Sequence, residues 1–101
     1  MNVIDLEPQF WFLLEDGDAL FLDANCNHSF VGYSFMIRLS PDEVALYTAR
    51  GRGYLSDLAQ QIQDSAPILA VSRSPFKGRD VSSAHAEAVM EAVTRWRDAG
   101  R

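Results

Sequence analysis

From Val31 to Leu39 the chain alternates: Val31, Tyr33, Phe35, Ile37 and Leu39 point one way, and Gly32, Ser34, Met36 and Arg38 the other. A period of two predicts a strand with one core face and one wetter face. Immediately before it, QFWFLLEDGDALFLDA (9–24) sets two apolar runs around Glu15-Asp16-Gly17-Asp18, a turn cluster, and so predicts a β-hairpin. A three-residue loop, Glu15-Asp16-Gly17, sorts its side chains better than a two-residue loop at Asp16-Gly17. That register puts Phe10, Phe12, Leu14, Leu20 and Leu22 on one face and Trp11, Leu13, Ala19 and Phe21 on the other. Between hairpin and strand, Asn25-Cys26-Asn27-His28-Ser29 is made of turn and cap formers and reads as a loop.

The period then changes. Ser40-Pro41-Asp42-Glu43 is a helix start: Ser40 can accept the Glu43 N–H, Glu43 can reach back to the Ser40 N–H, and Pro41 stands where no N–H is needed. Val44, Tyr47, Leu55, Leu58, Ala59 and Ile62 follow at helical spacing, interrupted by Gly51 and Gly53, each of which weakens a helix interior by roughly 1 kcal/mol relative to Ala. Two helices are expected, 41–50 and 54–64, bent at Gly51-Arg52-Gly53. Ile68 to Ser72, apolar and bounded by Pro67, reads as a fourth strand, and 73–80 as a loop. A last helix, capped by Ser82 or Ser83, runs to about Asp98 with a stripe of Ala86, Val89, Met90, Val93 and Trp96.

The expected order is therefore β-β-β-α-α-β-α: an α+β two-layer sandwich with an antiparallel three-stranded meander, a fourth strand, and helices on one face. That covered face should carry Phe12, Tyr33, Phe35 and Ile37. With 101 residues, 48% of them hydrophobic, the chain suits one domain, 1–101.

Charge adds an asymmetry. Residues 1–49 hold eight acids and one base, and residues 50–101 six acids and eight bases, for a total of −5. An acidic chain is not expected to bind nucleic acid generally, although its halves present opposite potentials. No secretory signal precedes Pro8, no apolar run approaches the roughly 18 residues of a membrane span, and Cys26 is the only cysteine. A cytoplasmic protein is expected. Arginine outnumbers lysine eight to one, a bias that suits a GC-rich bacterial genome.

Three groups of residues could carry function. Asp23, Cys26 and His28 pair a thiol with an imidazole two residues away, a grouping that could support nucleophilic chemistry or contribute metal ligands. Its plainer alternative is a small buried thiol beside loop-forming polar residues. Arg50 and Arg52 beside two glycines, with Arg73, Lys77 and Arg79 in RSPFKGR, could hold a small anion or phosphate in basic loops 50–53 and 73–79. Paired with the acids of the first half, they would be ordinary surface charges. Trp11, Leu13, Phe21 and Met36, on the hairpin's outer face, need cover, each fully buried apolar side chain being worth ~1.5–3 kcal/mol. Either the chain supplies that cover or a protein partner or second copy does. The expectation is a non-catalytic interaction module or homodimer using an apolar sheet face, with a small-anion or phosphate-binding domain as the alternative. No cofactor or metal is expected.

Overall fold

The structure, a computed structural model, describes residues 1–8, 10–28, 31–65 and 78–99. Within them the order is β1 (Asn2–Glu7), β2 (Trp11–Asp16), β3 (Ala19–His28), β4 (Val31–Arg38), α1 (Pro41–Arg50), α2 (Arg52–Ser65) and α3 (Ser82–Ala99). The strands form one open antiparallel sheet in the order β1-β2-β3-β4. This is the α+β class expected from the sequence, with the meander in place and the helices near their expected bounds. The strand expected at Ile68 to Ser72 lies outside the described residues.

Within the sheet, three details of pairing differ from expectation. The amino-terminal segment is itself a strand, β1, pairing Leu6 with Phe12 and Glu7 with Trp11. The hairpin loop is Gly17-Asp18, because Asp16 pairs with Ala19 and Gly17 adopts φ 59°. Positive φ at the first loop position is what a two-residue hairpin turn demands, and glycine supplies it without strain. That register places Leu13 opposite Leu22, and Leu14 opposite Phe21. Finally, Asn25 to His28 is strand, not loop, paired in turn with Ser34, Tyr33, Gly32 and Val31. The ladder gives these backbone groups partners that a loop would have had to find elsewhere.

Both faces of the sheet are covered by helices. Trp11, Leu13, Leu22, Ala24, Cys26, Phe35 and Ile37 pack beneath α2 residues Leu55, Leu58, Ala59 and Ile62, with Val44 and Tyr47 of α1 beside them. On the opposite face Leu14, Phe21 and Met36 meet Ala92 and Val89 of α3. Phe12 meets Trp96 there edge to face, with ring centroids 6.0 Å apart. The layering is thus helix, sheet, helix, where helices on a single face were expected, and Phe12 lies on the side away from Phe35 and Ile37. A sheet apolar on both sides requires this, since either face left in water would forgo most of its burial energy.

The helix starts follow local chemistry. Ser40 Oγ accepts the Glu43 N–H at 3.2 Å, the Glu43 carboxylate accepts the Ser40 N–H at 2.7 Å, and Pro41 opens the first turn. Gly51, at φ 72°, closes α1 by donating its N–H to Tyr47 O at 2.7 Å. The bend is therefore one residue, and Arg52 and Gly53 belong to α2.

Candidate functional site

Asp23 is the polar residue that the sheet carries into an otherwise apolar layer. It sits on the α3 side of β3, paired with Phe12 on β2 and Met36 on β4. Its backbone position follows from the alternation of β3, in which Phe21 and Asp23 share a face while Leu22 and Ala24 turn toward α2. Above it, α3 packs on the sheet through Ala92, and Trp96 meets Phe12 of β2, with a cleft left beside Asp23. The cleft encloses about 370 Å³. Asp23, Ser34 and Met36 form its floor, Val89, Met90 and Val93 line the α3 wall, and Arg97 also borders it. A smaller hollow of about 120 Å³, lined by Phe10, Phe12 and Asn25, also has Asp23 and Ser34 in its wall.

The segment leading into α3 fixes one side of this site. Val81 N–H donates to Met36 O at 2.8 Å, and Asp80 Oδ1 accepts the Met36 N–H at 3.2 Å. Those two bonds occupy the outward backbone groups of β4 at Met36 and bring the Asp80 carboxylate near Asp23. Burial, and secondarily the Asp80 charge, raise the Asp23 carboxyl from its ordinary 3.8 to about 6. Among the described residues no side-chain hydrogen bond or ion pair reaches the Asp23 carboxyl. A carboxylate in such surroundings gains from any donor or cation that enters.

The sequence-nominated residues are distributed as follows. Asp23 and Cys26 lie on opposite faces of β3. The Cys26 thiol is fully buried beneath α2, its Sγ 3.8 Å from Ala24 O. His28 is at the end of β3, opposite Val31. Among the described residues no three His, Cys, Asp or Glu side chains are grouped to hold a metal.

Of the basic set, Arg73 and Lys77 lie outside the described residues, and the other three are divided by the Gly51 bend. Arg52 turns to β1, meeting Asp5 at 3.2 Å, Glu7 at 3.1 Å and the Leu6 carbonyl at 2.5 Å. The β1 register shift between Val3 and Asp5 brings Asp5 opposite Leu13 and Glu7 opposite Trp11, on the α2 side where Arg52 stands. Arg79 instead chelates Glu43 and donates to Arg38 O. Arg50 lies 6.0 Å over the Tyr54 ring, and both Arg50 and Arg79 act electrostatically on the Tyr54 hydroxyl. So Arg50 and Arg79 approach one another around Tyr54, while Arg52 is engaged with β1. Arg52 and Arg79, the two described members that meet carboxylates, thus stand at separate places on the surface.

The apolar set is also divided. Trp11 and Leu13 face α2, Phe21 and Met36 face α3, and all four are buried within the chain, Trp11 at 1% exposure. Trp11 Nε1 donates to Ser56 Oγ at 3.1 Å, which completes the indole's polar requirement. The four residues expected to share one face are thus split between two, and of the two sources of cover considered, the chain's own helices supply it. Among the described residues the large apolar side chain left most exposed is Met90, at 71%, on the rim of the Asp23 cleft.

Sequence reasoning grouped Asp23 with Cys26, which lies on the opposite face of β3, while Ser34 and Met36 are the sheet residues beside it in the cleft. The α3 stripe Ala86, Met90, Val93 held the missing signal: it continues past the width that Ala92 and Trp96 need for packing. Comparison with protein-family models, curated proteins and solved structures returns no match.

Proposed function

We propose that the protein is a non-catalytic recognition module whose binding surface is the cleft between α3 and the β3–β4 side of the sheet. The observation that carries this reading is a concave site with an apolar wall, two polar groups on its floor and an exposed methionine at its rim. Concave, mostly apolar sites with a few convergent polar groups are the usual form of small-ligand pockets, and about 370 Å³ lies in their size range. Methionine at such a rim suits recognition, being flexible and polarizable.

The non-catalytic part of the reading rests on the separation of the reactive groups. Cys26 is buried on the far face from Asp23, so the thiol and the carboxyl cannot act on one substrate. The surface expected from sequence was the sheet itself. Its apolar faces are engaged within the chain by Trp11, Leu13, Phe21 and Met36, and Met90 is an exposed apolar group at the cleft rim.

Ala86→Trp tests the reading, because Ala86 is exposed, lines the cleft and takes no part in the core. A fragment mixture is screened by ligand-observed NMR against wild type and variant. The expected result is a set of binders lost when the indole fills the cleft. Binders retained undiminished by Ala86→Trp, or a screen with none at all, would overturn it.

A further inference from the structure

We propose that the cleft takes a small organic amine, its protonated ammonium at the Asp23 carboxylate and Ser34 hydroxyl and its hydrocarbon body against Met36, Val89 and Met90. This rests on the cleft being the binding site and adds the chemical class of what binds there.

Geometry supplies the first argument. Asp23 is flanked across the sheet by Phe12 and Met36, neither of which offers it a donor. An ammonium carries three donors and no acceptor, and the floor offers two carboxylate oxygens and a hydroxyl in return. The charge-assisted bond it would make is about twice as strong as a neutral one.

The local field supplies the second. Asp80 is close enough to Asp23 for its charge to be felt there, so the floor is negative. An anionic ligand would be drawn only to Arg97, which is exposed, and repelled by the two carboxylates. The wall supplies the third. Ala86, Val89, Met90 and Val93 present hydrocarbon, which suits methylenes and not the water shell that Mg²⁺ retains or the six to eight oxygens that Ca²⁺ requires.

Thermal unfolding with n-hexylammonium, n-hexanol and hexanoate, at equal concentration, tests the class. The charged and titratable groups around Asp23 are Asp80 before α3, and Arg97 and His85 on α3, the last packed on Phe21 at 4.9 Å. Near neutral pH, hexylammonium is expected to raise Tm by about three times as much as the alcohol or the acid, because only it neutralises the carboxylate. Asp23→Asn should abolish that preference while folding normally, as should lowering the pH well below about 6, where Asp23 is protonated. Equal stabilisation by hexanol, abolished by Ala86→Trp, would overturn the amine while leaving the cleft standing. A preference for hexylammonium that survives Asp23→Asn would also overturn it. No stabilisation by any of the three would overturn the amine, and the fragment screen separately decides the cleft.

Discussion

Arg79 holds both carboxylate oxygens of Glu43, at 3.0 and 2.6 Å, while Glu43 also caps the helix that begins at Pro41. A further N–H of the same guanidinium reaches Arg38 O at 3.0 Å. One arginine thus ties the end of β4, the start of α1 and the segment entering α3. That segment carries Asp80 and positions the cleft.

Glu43→Ala is expected to destabilise the protein by roughly 2–3 kcal/mol, combining a lost cap of about 1 kcal/mol with a lost charged hydrogen bond. Burial pushes the Glu43 carboxyl up, but hydrogen bonds from Arg79 and Ser40 outweigh it and hold the group below its ordinary 4.5. A lowered carboxyl contributes stability that is present above the ordinary value and is lost as pH falls below it. Urea titrations across acid pH check this: Glu43→Gln should flatten the loss of stability below 4.5.

Asp23 acts with the opposite sign. Its carboxyl is raised, so the folded state keeps a proton that the unfolded chain releases, and stability falls as pH rises from 3.8 to about 6. Ionising it in place costs on the order of 2–3 kcal/mol. Asp23→Asn should therefore stabilise the protein at neutral pH and have little effect well below 3.8. Denaturant midpoints at the two pH values check it, and an equal effect at both would contradict the burial argument.

Trp11 is expected to behave as a core residue. Trp11→Ala should cost about 3–5 kcal/mol, the usual loss for a buried aromatic, because it vacates the layer beneath α2 and leaves Ser56 Oγ without its donor. Equilibrium unfolding measures this directly. A variant of unchanged stability would mean that the indole is not packed as described.

Local signals were the ones that could be read from the sequence. Ser40 to Glu43 contain a complete capping box within four residues, and β4 carries its own alternation, so neither depends on distant parts of the chain. The hairpin register depended on which loop position Gly17 takes, and Glu15-Asp16-Gly17-Asp18 allows several. β1 was hidden because Asp5 and Glu7 interrupt its apolar positions, and only the shift after Val3 together with Arg52 explains them. The face chosen by α3 is set by tertiary bonds of Asp80 and Val81 to Met36, for which adjacent sequence holds no signal. Asp23 was visible as a candidate, but its neighbours came from α3, some seventy positions away in chain order.

If ligands bind in the cleft between α3 and β4, the three methionines report it directly. Met36 lies on the floor, Met90 at the rim, and Met1 outside the lining. In a titration of methyl-labelled protein with n-hexylammonium or any fragment that binds, the Met36 and Met90 methyl signals should move together along one saturation curve, with Met1 unchanged. Saturable binding that leaves Met36 and Met90 unmoved would place the ligand elsewhere and rule the cleft out as the binding site.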